Sequence, residues 1–228
     1  MNIRKIRITK GESRQIFGIG MSSALVNLVQ SVCLVLTNQY LLRYGSDCIA
    51  AMGIAQKVCL IAALVLVGFS FGGQPMIGYF YGSGDTKKLK QLIRFATLFN
   101  VETALVLSMI LIVLAPWLVD RFLHDPSIIE MGTRMLRWQL YALTGTAAFL
   151  SISVVFQSLG KVAGALILSV SRQGFVYLIV LIIAVRVAGL SGVIMSQAIS
   201  DIISLVLAVI LYFKMINRNL SETENRLK

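Results

Sequence analysis

Charged side chains are scarce in this sequence, and so are histidine and cysteine. Charged residues make up 14% of the chain, whereas soluble domains average about 25%, so a water-soluble globular protein is excluded. The single histidine and three cysteines lack the spacing of a metal site, and no metal site is predicted. Paired carboxylates, a histidine cluster, an activated nucleophile and a phosphate-binding loop are also missing. An enzyme is therefore the least favoured class, and we predict that the chain is not one.

Long apolar runs fill most of the chain. Hydrophobic residues make up 57% of the sequence, and the mean hydropathy is +0.82. Six runs are each long enough to cross about 30 Å of hydrocarbon as a helix, which takes about 20 apolar residues; they cover residues 16–42, 50–80, 95–118, 138–159, 162–185 and 189–213. The runs lack the alternation of membrane β-strands. The predicted fold is all-α, a polytopic integral membrane protein with six transmembrane helices.

Lysine and arginine are concentrated in alternate connecting segments. Residues 4–14, 87–94 and 214–228 are rich in these side chains, and the intervening loops carry fewer. This bias predicts that the rich segments and both termini are cytoplasmic. The excess of 21 basic over 10 acidic residues thus indicates topology in a lipid bilayer, and no nucleic-acid partner is expected. We predict a basic cytoplasmic lead over residues 1–15, a membrane lobe over 16–213 and a polar cytoplasmic tail over 214–228.

Four ionisable residues fall inside the predicted spans, where a charge costs at least about 2.5 kcal/mol. Arg172 and Asp201 lie about 15 and 18 Å from the same membrane face at 1.5 Å per residue, so we expect them to pair. Two interpretations stay open: a structural ion pair, or a carboxylate whose protonation is coupled to movement. Lys57 and Glu102 lie near opposite faces and are not expected to pair. Glu102 is either a wetted carboxylate or a site for protons or cationic substrates.

Uncharged polar residues are dense in the first span. Four of them follow a helical spacing that places them near one face, namely Asn27, Gln30, Ser31 and Asn38. Such a stripe either bonds to neighbouring helices or lines a water-filled cavity. The sequence leaves both interpretations open.

Four motifs in order resemble the MATE (multidrug and toxic compound extrusion) transporters, in their bacterial multidrug exporter branch. They read GQPMIGYFYGSG at 73–84, FQSLGK at 156–161, SRQ at 171–173, and GLSGV at 189–193 followed by Gln197 and Asp201. The resemblance implies that the six spans correspond to helices seven to twelve of a twelve-helix fold, and that residues 1–15 correspond to the linker between two lobes. An N-terminal lobe or a second copy is the implied partner.

Members of this family export amphipathic and cationic drugs by alternating access, driven by H⁺ or Na⁺, without other cofactors. The resemblance implies a multi-pass protein of the cytoplasmic (inner) membrane that acts as one lobe of such an antiporter. Gln30 matches a position that is acidic in members that couple through this lobe. The predicted substrate-cavity residues are Asn27, Gln30, Gln56, Lys57, Gln139, Tyr141 and Gln157. The candidates for ion coupling or structural charge are Glu102, Arg172 and Asp201.

Two other functions remain open at the level of sequence. A lipid-linked oligosaccharide flippase uses a related fold, although its cavity is usually richer in arginine and lysine than these spans. An inactive truncated lobe or a membrane scaffold would use the polar face of the first span only for helix packing. Aqueous accessibility of that face separates a cavity from packing.

Overall fold

A computed structural model describes residues 10–123 and 125–214, with side chains from residue 24 onward except those of residues 162, 163 and 173. Every regular element in these ranges is helical. The helices are α1 (Lys10–Leu42), α2 (Ser46–Gly72), α3 (Gln74–Gly82), α4 (Thr86–Asp120), α5 (Pro126–Ser158), α6 (Val162–Val170) and α7 (Val176–Tyr212), with a π-helical turn at Ser171–Phe175 between α6 and α7. The all-α membrane fold is confirmed.

Five helical stretches in the described residues are long and apolar enough to span a membrane, and the last of them, α7, contains a reversal. Gly189 has φ 54° and ψ −126°, a conformation that side chains disfavour. A Cβ on Gly192 would lie 1.9 Å from the Ala184 carbonyl oxygen, although these residues would be about 12 Å apart along a straight helix. The chain therefore turns back at Gly189, as the two separate spans at 162–185 and 189–213 require.

The second predicted span, 50–80, is broken into α2 and α3. Gly73 separates the two helices, and Pro75 occupies the first turn of α3, where its missing N–H leaves no helical hydrogen bond unmade. The Ile77 amide donates to the Gly73 carbonyl at 3.1 Å, which restarts the helix. The second predicted span is therefore one membrane-spanning stretch, Ser46–Gly82, made of two helical segments.

The helices extend beyond the apolar runs that predict them. The third and fourth spans were expected to begin at residues 95 and 138, but α4 begins at Thr86 and α5 at Pro126. Asp85 caps α4 by accepting from the Lys88 amide at 3.1 Å, and Asp125 caps α5 by accepting from the Ser127 amide at 2.9 Å. The length of an apolar run reflects the thickness of the hydrocarbon layer, whereas the capping residues determine where a helix begins. Residue 124 lies outside the described residues.

α5 is the central helix of the lobe. In its most apolar 18-residue stretch 61% of the residues are buried, against 17–28% in the corresponding stretches of the other membrane-spanning helices. It packs against α2, α4 and α7. The Asn100 amide of α4 donates to Ser70 Oγ of α2 at 2.8 Å and, on α5, to the Ala147 carbonyl at 3.1 Å and Ser151 Oγ at 3.2 Å. Interhelical hydrogen bonds of this kind hold helices together where lipid supplies no hydrophobic driving force.

Candidate functional site

A cavity of about 440 Å³ lies between α1, α2, α5 and α7. Three of the predicted substrate-cavity residues line it, one from each of three helices: Gln30 on α1, Gln56 on α2 and Gln139 on α5. Gln139 Nε2 donates to Met52 Sδ at 3.1 Å, which fixes the amide against α2. A membrane-embedded cavity lined by several amides offers hydrogen bonds to a ligand that has left its water behind.

Arg172 and Asp201 form an ion pair in the wall of this cavity. Arg172 Nε donates to Asp201 Oδ1 at 2.8 Å, and the exposed fractions of the two side chains are 14% and 5%. The predicted pair therefore forms. Its role in ion coupling stays a prediction.

The π-helical turn positions Arg172. A π turn widens the helix locally, which re-aims a side chain and is common at functional sites. α1 packs closely on this turn, because a Cβ on Gly174 would lie 2.7 Å from a Val29 methyl carbon. The Arg172 guanidinium lies 5.1 Å from the centre of the Phe149 ring on α5, a cation–π contact that is favourable away from water.

Two further side chains complete the hydrogen bonding of the ion pair. Thr146 Oγ1 donates to Asp201 Oδ2 at 3.0 Å and accepts from Arg172 Nη2 at 3.2 Å. Gln197 Nε2 donates to Asp201 Oδ1 at 3.3 Å. Sequence reasoning missed both residues as site components. Gln197 could have been found from the sequence, because its four-residue spacing from Asp201 places both side chains on one helix face. No sequence pattern points to Thr146.

Thr37, a polar residue of α1 outside the polar stripe, both lines the cavity and contacts α7. Thr37 Oγ1 donates to the Cys33 carbonyl at 2.8 Å and forms a 2.8 Å hydrogen bond with the Tyr177 hydroxyl on α7. Gln30 and Ser31 line the cavity, whereas Asn27 is exposed and does not. Two of the four stripe residues therefore line a cavity, as one of the two interpretations expects, and the hydrogen bond to α7 comes from Thr37, outside the stripe.

Four predicted substrate-cavity residues lie outside the main cavity. Lys57 and Tyr141 are exposed, because they follow Gln56 and Gln139 by one and two positions, and helical steps of about 100° turn them away from the cavity. Asn27 is also exposed on α1. Gln157 lines a second cavity of about 150 Å³ on the other side of Arg172, which borders both. A substrate role for these four stays a prediction.

Glu102 and Lys57 are separate exposed charges. Glu102 lies on the exposed face of α4 and Lys57 on that of α2, and neither pairs with another described residue. Glu102 is about 24 Å along α4 from Thr86. The described residues contain no group of three or more histidine, cysteine, aspartate or glutamate side chains that could hold a metal ion.

Comparisons with known proteins agree on one family. The sequence model described as MatE matches residues 22–183. The chain is 27% identical over 217 residues to the multidrug export protein MepA of Staphylococcus haemolyticus, covering 95% of this chain and 48% of that protein. The Staphylococcus saprophyticus MepA is 26% identical over 218 residues, with 96% and 48% covered. The chain therefore spans about half the length of the curated relatives it matches.

Solved structures show the same fold. A mutant of the Vibrio cholerae MATE transporter VcmN has a TM-score of 0.82 at 21% identity, covering 95% of this chain and 50% of that one. A MOP-superfamily transporter from Pyrococcus furiosus has a TM-score of 0.83 at 19% identity, with 98% and 50% covered. The helices described here superpose on one half of each transporter.

Proposed function

Because the chain belongs to the MatE family, we propose that it is one lobe of an ion-coupled antiporter that exports small amphipathic and cationic drugs. The relatives are named as multidrug export proteins, in agreement with the prediction that the chain is not an enzyme. The observation that carries the proposal is the cavity of about 440 Å³ inside a membrane-type helical lobe, with glutamine amides from four helices on its wall. A bundle that served only as a scaffold would gain by closing this space.

The partner in this proposal is an N-terminal lobe or a second copy of the chain. The chain covers 48% of the Staphylococcus haemolyticus relative and 50% of the VcmN structure, so the full transport path needs a second six-helix unit. Transporters built from two repeats bind substrate at the interface of the repeats and work by rocking one against the other. The exposed polar side chains Asn27 and Gln157 are then candidates to face the partner lobe.

We place the lobe in the cytoplasmic membrane with both termini inside. The basic segments at 4–14, 87–94 and 214–228 support this orientation. Met52 and Gln56, near the α1–α2 connection, then lie in the outer half of the lobe. The main cavity is on that side of Arg172 and Asp201, and the smaller cavity is on the cytoplasmic side.

The coupling ion in this proposal is H⁺ or Na⁺. Asp201 and Glu102 are the candidate carboxylates within this lobe, and they differ in environment. Asp201 is held by an arginine, a threonine and a glutamine, so its protonation would release Arg172. Glu102 is exposed on α4, where it is open to a partner lobe or to water.

The comparisons favour an exporter over a flippase for lipid-linked oligosaccharides, and the charge of the cavity agrees with them. Recognition of a pyrophosphate-linked lipid needs unpaired basic side chains in the cavity. Among the described lining residues Arg172 is the one cation, and its charge is taken up by Asp201.

Efflux of ethidium tests the proposal. The chain is expressed in pump-deficient cells at verified membrane levels, alone, with the separately expressed N-terminal half of the Staphylococcus haemolyticus relative, and with that half expressed alone as the control. Efflux above the control in either arm that contains the chain supports the proposal, and the arm that works identifies the partner. Absence of efflux from both arms contradicts it. Repeating the working arm without Na⁺, and then with a protonophore, identifies the coupling ion.

A further inference from the structure

The wall of the main cavity carries no net charge among its described residues. Arg172 and Asp201 are the charged side chains there, and they form the 2.8 Å ion pair. The other polar groups on the wall are neutral amides, hydroxyls and sulfur atoms. Four of these neutral groups are the amides of Gln30, Gln56, Gln139 and Gln197.

The charge of Asp201 is fully engaged by its neighbours. Oδ1 accepts from Arg172 and Gln197, and Oδ2 accepts from Thr146. The arginine contacts the carboxylate through Nε, the Thr146 hydroxyl through Nη2 and the face of Phe149. Towards a ligand in the cavity the pair acts as a dipole, and neither member presents a free charge.

A permanent cation in such a cavity gives up part of its hydration without gaining a counter-charge. Burial of an unpaired ion is far more costly than burial of a polar group that finds hydrogen bonds. A neutral compound with a carbonyl or amide group, by contrast, finds amide N–H donors on four helices and an apolar wall from side chains such as Leu34 and Leu143. The two classes of ligand are therefore separated by electrostatics and not by size.

We infer that this cavity, in which Arg172 and Asp201 cancel each other's charge, takes neutral amphipathic compounds with hydrogen-bonding groups in preference to organic cations. The inference rests on the proposed function, since it names the substrate class of the cavity within this lobe. The inference assigns the two drug classes of that proposal to different places. Neutral amphipathic compounds bind in this cavity, and cations bind outside it, at surfaces shared with the partner lobe.

A matched pair of ligands tests the inference. 1-Methyl-2-quinolone is neutral and carries a carbonyl, whereas N-methylquinolinium has the same ring and methyl group with a positive charge. Binding of each to the purified full chain in nanodiscs is measured by equilibrium dialysis, with empty nanodiscs as the blank for partition into lipid. The chain is expected to bind the neutral compound at least about tenfold more tightly.

Variants of the pair provide the sharper comparison. Arg172→Gln leaves Asp201 without its cation and is expected to tighten N-methylquinolinium binding by about tenfold or more, with the quinolone changed by less than about threefold. Asp201→Asn is expected to weaken binding of the cation further. The double variant Arg172→Gln, Asp201→Asn removes both charges and is expected to keep the neutral preference of the parent chain.

Several results would overturn the inference. The first is that the parent chain binds the cation as tightly as the quinolone or more tightly, and the second is that Arg172→Gln leaves cation binding unchanged. The others are a preference of the double variant for the cation, and absence of binding for both ligands. If Arg172→Gln does not elute as a folded monodisperse species, the parent chain, Asp201→Asn and the double variant decide the matter. Because binding is read on the chain itself, a preserved charge preference together with absent ethidium efflux rejects the proposed function and leaves the inference standing.

Discussion

Arg172 and Asp201 lie 29 positions apart in sequence, yet Arg172 Nε and Asp201 Oδ1 are 2.8 Å apart because the chain reverses at Gly189. On one straight helix the two residues would be about 44 Å apart. The reversal therefore brings together a π-helical turn in the fifth predicted span and the middle of the sixth. The pair joins these two segments, and Thr146 links both to the central helix α5.

The ion pair is expected to contribute to stability mainly by avoiding an unpaired buried charge. Asp201→Ala leaves Arg172 uncompensated and should lower the free energy of unfolding by about 3 kcal/mol. The exchanged variant Arg172→Asp, Asp201→Arg should recover part of this loss. Unfolding by SDS in mixed micelles measures both. Exposed Lys57→Ala is the control and should change the stability little, and an exchanged variant no more stable than Asp201→Ala would show that pairing is not the cause.

Gly189 is expected to tolerate no side chain. Its φ of 54° and ψ of −126° are open to glycine, and a Cβ there would lie 3.0 Å from the Tyr44 hydroxyl oxygen. Gly189→Ala should lower the free energy of unfolding by about 1–3 kcal/mol. Gly68→Ala is the matched control, because Gly68 is helical and a Cβ there meets open space. Thermal unfolding of both variants in detergent makes the comparison, and equal melting temperatures would contradict the reversal at Gly189.

Asn100 is expected to hold three helices together. Its amide donates to groups on α2 and α5, and the residue is 1% exposed. Asn100→Ala should destabilise the lobe by about 1–2 kcal/mol, the range of interhelical hydrogen bonds in membranes. Thr103→Ala on the same helix is the control, since its hydroxyl bonds only to the Phe99 carbonyl within its own helix. If both variants unfold at the same SDS fraction, the network does not stabilise the lobe.

Gln139 is expected to be needed for transport. It lies on the cavity wall and donates to Met52 Sδ. Gln139→Leu keeps the volume but removes the amide, so efflux of the neutral compound 1-methyl-2-quinolone should fall by about tenfold, as for the loss of one to two hydrogen bonds to a bound ligand. Thr144→Val, on the same helix but lining neither described cavity, should retain activity. The efflux assay with the working lobe combination, run with 1-methyl-2-quinolone in place of ethidium, measures both variants, and full activity of Gln139→Leu would show that this amide does not contact the transported compound.

The sequence predicted the membrane segments and the central pair for simple reasons. A bilayer imposes a fixed thickness, so long apolar runs report spans, and depth along two antiparallel spans placed Arg172 beside Asp201. The sequence did not predict how each helix is rotated about its own axis, and this rotation decides which side chains face the cavity. Gln56 lines the cavity and its neighbour Lys57 does not, and this choice depends on how six helices pack. Thr146 was missed for the same reason, since its role exists only where α5 meets the other two segments.

Aqueous access to Gln30 tests the central proposal, that this lobe contains a water-accessible cavity that binds a ligand. In a variant with Cys33, Cys48 and Cys59 replaced by alanine, Gln30→Cys is compared with Leu28→Cys, an exposed apolar position on the same helix outside the cavity. We predict that a charged methanethiosulfonate reagent labels position 30 at least about tenfold faster than position 28, and that 1-methyl-2-quinolone slows labelling at position 30 alone. Equal labelling rates at the two positions, or labelling at position 30 that the quinolone leaves unchanged, would contradict the account.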